Sequence, residues 1–95
     1  MSKHQYRSEL GMISEILSIT MECGREGVII SAIARRANMS HYAAMEKCQK
    51  LIDAGLMESV INDKNRTFVI TEKGIQFFQE MKKIIETVQV IKIRY

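Results

Sequence analysis

The chain has 95 residues, 46% of them hydrophobic and 26% charged, with no proline or tryptophan. That is room for one domain of ordinary apolar content, which argues against disorder, and no run approaches the roughly 20 apolar residues of a membrane span. Fourteen basic against 11 acidic side chains leave a net charge of +3, which permits an anionic partner without demanding one.

The first helix is predicted over Gln5–Glu22, with Ser2 and Gln5 at capping-box spacing. Tyr6, Leu10, Ile13, Leu17 and Met21 recur every three or four residues and mark its buried face, widened by Ile16 and Ile19. Cys23-Gly24 closes it, and Gly27–Ile30 reads as a short β-branched strand. Ser31 is expected to cap a second helix through Ala37, and Asn38-Met39 to turn the chain. Ser40 then caps a third helix that ends at Ala54, before Gly55. On that helix Ala44, Cys48, Leu51 and Ile52 fall to one side, with His41, Tyr42, Met45, Glu46 and Gln49 mostly on the other. Two helices joined by a tight turn, the second capped by serine, form a helix-turn-helix pattern. Residues 31–50 also concentrate positive charge, with Arg35, Arg36, Lys47 and Lys50 against Glu46 alone.

After Gly55 the period becomes extended. Leu56–Ile61 and Arg66–Ile70 read as two strands joined by the polar Asn62-Asp63-Lys64-Asn65. Thr71 is expected to cap a last helix. On it Ile75, Phe78, Met81, Ile85 and Val88 approximate a heptad seam, and Phe77, Ile84 and Ile91 form a second stripe at seven-residue intervals. One small domain does not readily cover both stripes, so a partner helix is the natural cover. The β-branched end, Val88–Tyr95, is compatible with more helix, with fraying or with a strand.

The order helix, strand, helix, helix, hairpin, helix resembles the winged helix-turn-helix superfamily. The stretches Ile33-Ala34-Arg35-Arg36-Ala37-Asn38-Met39-Ser40 and Leu51-Ile52-Asp53-Ala54-Gly55-Leu56-Met57 follow its pattern without a gap. Ile33, Ala34, Ala44, Cys48, Leu51 and Leu56 match its core positions, Ser40 its recognition-helix cap, and Phe68-Val69-Ile70-Thr71-Glu72-Lys73-Gly74 its strand-to-helix junction. Ala37–Ser40 together with Thr71–Gly74 is most similar to small archaeal winged-helix proteins that dimerise through a C-terminal helix, some of them chromatin-type DNA binders. The resemblance implies a mainly α fold with a small β-hairpin wing (α+β). Residues 1–70 would be the winged domain, and 71–95 a dimerisation helix packed on it. It implies a homodimeric partner of double-stranded DNA, either a transcriptional regulator or an architectural factor, cytoplasmic and associated with the nucleoid. A winged-helix module that docks proteins in a larger transcription or recombination assembly is the alternative. Two departures stand out. Ala44 and Cys48 are small for their core positions, with Met39 and Met45 as candidates to fill the space, and Glu46 stands where a basic or neutral residue is common.

Were the third helix to enter the major groove, Ser40, His41, Tyr42, Met45 and Gln49 would meet base edges. Arg35, Arg36, Lys47 and Lys50 would hold phosphates, with Lys64 and Arg66 of the wing on the backbone or in the minor groove. The dimer seam would use Phe78, Met81, Ile84, Ile85 and Val88, the helices pairing antiparallel. No cofactor, metal, membrane or small-molecule partner is expected. His4, His41, Cys23 and Cys48 are scattered, no glycine-rich phosphate loop follows a strand, and no carboxylate pair marks a catalytic cleft. His41 and Cys48 lie about 10.5 Å apart along one helix, too far to form a thiol–imidazole pair.

Overall fold

The computed structural model describes residues 8–93; the expected cap at Ser2 and Gln5 and the contribution of Tyr6 lie outside them. The first helix, α1, spans Glu9–Cys23, and its N-cap is Ser8, whose Oγ accepts the Gly11 amide at 2.9 Å. It therefore begins four residues later than its periodicity predicts, at a serine whose side chain reaches an orphan amide. Its buried residues are Ile16, Leu17, Ile19 and Thr20, while Leu10 is exposed. Thr20 is tolerated inside because its hydroxyl bonds back to the carbonyls of Ile16 and Leu17, at 3.2 and 3.0 Å.

A short 3-10 turn (Gly24–Glu26) leads to Val28, which makes a lone antiparallel bridge to Phe68 in place of the expected four-residue strand. The chain leaves it at once for helix α2, Ile30–Arg36, so Ile29 and not Ser31 occupies the N-cap position, with no side-chain cap. Asn38 then takes a left-handed conformation at φ 56. Met39 N–H bonds to Ala34 C=O at 2.9 Å and Asn38 N–H to Arg35 C=O at 3.3 Å, closing the helix in a Schellman motif. Helix α3, His41–Asp53, starts at Ser40, whose Oγ accepts the Ala43 amide at 3.0 Å. It ends in the same way at Gly55, with Leu56 N–H on Leu51 C=O and Gly55 N–H on Ile52 C=O, both at 2.9 Å.

Strands β1 (Met57–Asn62) and β2 (Asn65–Ile70) form an antiparallel hairpin in which Asn62 pairs with Asn65, leaving Asp63-Lys64 as the turn. Both strands extend one residue nearer the tip than expected, since Asp63 accepts the positive φ of 56 that a two-residue turn demands. Thr71 joins the wing to helix α4, Glu72–Ile93. Its Oγ1 donates to Gly55 C=O at 2.7 Å and accepts the Gly74 amide at 3.0 Å. Gly74 is obligatory here, because a Cβ would sit 2.1 Å from Leu56 O. The β-branched end thus prolongs the helix as far as Ile93, with Arg94 and Tyr95 outside the described residues.

The core is one cluster in which Ile16, Leu17, Ile33, Met57 and Phe68 are almost wholly buried, together with Ala44, Cys48, Leu51 and Met81. Burying side chains of this size stabilises by about 1.5–3 kcal/mol each. Met39 and Met45 pack against the cluster that includes the small Ala44 and Cys48. Helix α4 lies against α1 through Phe78, Met81 and Ile85 and then projects, giving the molecule extents of 53 × 33 × 20 Å. No helix of the described residues is long and apolar enough to cross a membrane.

Candidate nucleic-acid interface

Helix α3 has one face in the core and one bare. Ala44, Lys47, Cys48 and Leu51 are buried, and the other face carries Tyr42, 77% exposed, with Glu46, Gln49, Lys50 and Asp53 in succession. Tyr42, Met45, Glu46, Gln49, Lys50 and Asp53 line one shallow concavity along this face. Ser40 and His41 are exposed at its N-terminal end, whereas Met45 is half-buried against the core. Gln49 is not idle: its amide donates to Asp53 Oδ1 at 2.9 Å.

The cations divide into engaged and open groups. Lys47, expected on a phosphate, lies inside: its side chain is 10% exposed and its Nζ donates to Glu9 Oε1 at 2.9 Å. The cause is helical phase, since Lys47 stands beside Cys48 and one turn from Ala44 and Leu51, so it points to α1 and needs the Glu9 carboxylate there. Lys50 stays exposed but reaches the same carboxylate at 3.4 Å. These bonds, the one from Lys47 foremost, hold the Glu9 carboxyl below the usual range, and the Glu9 bond raises Lys47 in turn. Arg36 is tied to Glu22 on α1, with Cys23 Sγ at 3.9 Å, and the Glu22 bond raises its pKa. Sequence reading missed Glu9 and Glu22 as partners because both act from another helix, across 38 and 14 residues of chain. Arg35, on the same short helix, is exposed.

On the wing Lys64 is exposed at the turn, and Arg66 is fixed: its Nε donates to Ser59 Oγ at 2.6 Å and its guanidinium lies 5.4 Å from the Phe68 ring centroid. Cys48 faces the core, where burial pushes its thiol up to about 11, partly opposed by the Arg66 charge.

The expected dimer seam splits in two. Met81 is 4% exposed, and Phe78 and Ile85 are half-buried against the molecule's own core, so these three side chains are used within one chain. Ile84 and Val88 are exposed, and with Phe77 and Ile91 they form a bare apolar stripe, the second stripe of the sequence pattern with Val88 added. At 100° per residue Phe77, Ile84 and Ile91 fall on a flank of α4 beside the face of Phe78, Met81 and Ile85, and Val88 continues that face one turn beyond Ile85.

The model of the winged helix-turn-helix family matches residues 6–89. The chain belongs to the winged helix-turn-helix family. Among solved structures, this winged-helix chain is similar to Sso10a-2, a DNA-binding protein from Sulfolobus solfataricus, with a TM-score of 0.79 and 17% identity over 93% of this chain and 88% of that one. It is similar to the transcriptional regulator BldR, also from Sulfolobus solfataricus, with a TM-score of 0.78 and 22% identity over 87% of this chain and 60% of the other. A third likeness is to MepR, a transcription regulator of a Staphylococcus aureus multidrug efflux pump, with a TM-score of 0.75 and 12% identity over 87% and 62% of the two chains. A MepR mutant is also solved bound to an oligodeoxyribonucleotide. No curated protein matches the chain. At these identities the structures establish the fold, which this winged-helix chain shares with DNA-binding regulators.

Proposed function

We propose that this protein is a homodimeric winged-helix DNA-binding protein, a transcriptional regulator or an architectural factor of DNA. The observation that carries the reading is the bare outward face of α3, with Ser40, His41 and Tyr42 exposed at the end that a recognition helix presents to base edges. Tyr42 offers an aromatic face and a hydroxyl, while Arg35 on α2, Lys50 on α3 and Lys64 on the wing are exposed cations suited to phosphates. Gln49 reads a base only by exchanging its bond to Asp53, and Lys50 meets a phosphate by leaving Glu9. Lys47, held in the α1–α3 contact, positions α3 and contacts no DNA. The α4 stripe of Phe77, Ile84, Val88 and Ile91 is the seam for a second copy, which presents a second recognition helix to the duplex.

The test is fluorescence anisotropy of a labelled duplex titrated at several salt concentrations, with Arg35→Ala/Lys64→Ala alongside. The expected result is affinity that falls steeply with salt, by a log–log slope of about −0.9 per neutralised phosphate, and a slope shallower by nearly two such steps in the variant. Salt-insensitive binding, or none at low salt and none in a selection from random DNA, would assign the domain to protein docking instead.

A further inference from the structure

The wing ends in an apolar side chain that folding does not use. Strand alternation puts Met57, Ser59 and Ile61 on one face of the hairpin, opposite Ile70, Phe68 and Arg66. Met57 and Phe68 carry that face into the core at 2% and 1% exposure, but Ile61 overhangs it and is 70% exposed. A polar residue there would leave every core contact intact, so burial within this chain does not explain the isoleucine.

Its surroundings define what could cover it. Ile61 is paired with Arg66, whose guanidinium is already held by Ser59 and the Phe68 ring. Beyond it the tip carries Asn62, Lys64 and Asn65, all exposed, with Asp63 serving the turn. An apolar side chain beside Arg66, just behind a tip on which Asn62, Asp63, Lys64 and Asn65 are all exposed, is ill suited to a dry protein pocket, where those polar groups would lose water without partners. The minor groove of DNA answers the isoleucine, the cations and the amides, and only the Asp63 carboxylate of the turn has to stay in solvent. The groove's walls are phosphates, its floor presents acceptors on A and T that amides reach, and apolar side chains enter between its base pairs.

We propose that Ile61 is a wedge: the wing enters the minor groove and Ile61 inserts at a flexible pyrimidine–purine step, bending the duplex. Arg66 and Lys64 bracket the groove walls, and the fixed Arg66 sets the depth of entry. The guanine amino group obstructs the floor and TA steps unstack most easily, so the wing favours A·T sequence. The inference rests on the DNA-binding reading and goes beyond it, because phosphate contact by the wing requires neither a bend nor an isoleucine.

The test uses duplexes of about 30 base pairs with a dye at each end, one with an alternating A·T centre and one with a G·C centre. Energy transfer and anisotropy are read for the wild type, Ile61→Ala and Ile61→Leu, with thermal melts confirming equal folding of the variants. The wild type is expected to bend the A·T duplex by at least about 20° and to bind it several-fold more tightly than the G·C duplex. Ile61→Ala should still bind, with the bend at least halved and the preference below about twofold, and Ile61→Leu should keep both. Bending and preference unchanged in Ile61→Ala, or a wild type that binds without bending, overturns the wedge and leaves the DNA-binding reading intact. A wild type that binds neither duplex at low salt overturns the wedge, and the DNA-binding reading falls with it only when a selection from random DNA also yields no site.

Discussion

Helices α3 and α4 each sink one face into the same core and leave the other bare, but the two bare faces are chemically opposite. That of α3 shows Tyr42 among Glu46, Gln49, Lys50 and Asp53, a hydrated surface suited to a partner that is itself polar. That of α4 shows Phe77, Ile84, Val88 and Ile91, a surface stabilised only by losing water. The difference teaches that one small domain can present two chemically distinct surfaces, and on the proposed function these serve two kinds of association. Salt should govern the first and apolar area the second, so a substitution on the α3 face should leave the mass unmoved, whereas one on the α4 stripe should remove the second recognition helix and weaken DNA binding as well.

The largest effect should come from Ile84→Asp/Val88→Asp, which puts two charges on the α4 stripe. By sedimentation equilibrium the mass should fall from two chains to one, with the monomer still folded because both positions are exposed. A mass that stays at two chains would remove the stripe from the interface. Ile85→Asp is a poorer probe, since Ile85 packs on the molecule's own core and its loss confounds folding with assembly.

Where the same helix enters the core, Met81→Ala made in that monomeric background should cost about 2–4 kcal/mol in urea unfolding, the usual loss for a truncated core side chain. A loss below about 0.5 kcal/mol would mean that α4 is not part of the core.

On α2, which leads into α3, Arg35→Ala should lower the magnitude of the salt slope by about 0.9 and leave the mass unchanged. Arg36→Ala should change the slope less, because Glu22 already neutralises that guanidinium. Equal effects would show that the Glu22 pair opens on binding.

A smaller effect concerns the joint between α1 and α3. Glu9 has a folded pKa below its ordinary 4.5, so the stability it lends is fully present above that value and is lost as pH falls through the lower folded one. Lys47 is raised above 10.5, so its share is present below that and is lost only in strong base. Thermal melts taken from about pH 7 to pH 3 should therefore show a flatter acid limb in Glu9→Gln than in the wild type. Parallel limbs would dismiss the ion pair as a source of acid sensitivity. The same substitution releases Lys50 and should steepen the salt slope of DNA binding by up to about 0.9.

The smallest effect probes the inner face of α3. Cys48, fully buried with its thiol near 11, should stay unlabelled by a thiol reagent at about pH 8 until the chain unfolds. Rapid labelling would place α3 in a different rotation.

Much of the fold was legible in the residues. Ser40 and Gly55 announce the ends of α3, and Thr71 the start of α4, because caps and positive-φ turns depend on one or two side chains acting within a few residues. The start of α2 was less legible, since no side chain caps it: Ile29, still extended, is the N-cap directly after the bridge of Val28 to Phe68, and this contact spans 40 residues. Among the candidate site residues, Ser40, His41, Tyr42 and Lys64 stand exposed as expected. Lys47 and Arg36 do not stand free, for their partners come from α1.

The sequence by itself determined the order of the four helices, the helix-turn-helix and the wing, and it marked two apolar stripes on the last helix, because periodicity and capping are local. Only the tertiary structure decided which stripe belongs to the core. Both satisfy the helical period, and the choice rests on the rotation that lets Gly74 meet the Leu56 carbonyl while Phe78, Met81 and Ile85 close on α1. The same packing decided which cations are open to a partner, because an ion pair between helices is fixed by where the core places their backbones and not by either helix alone.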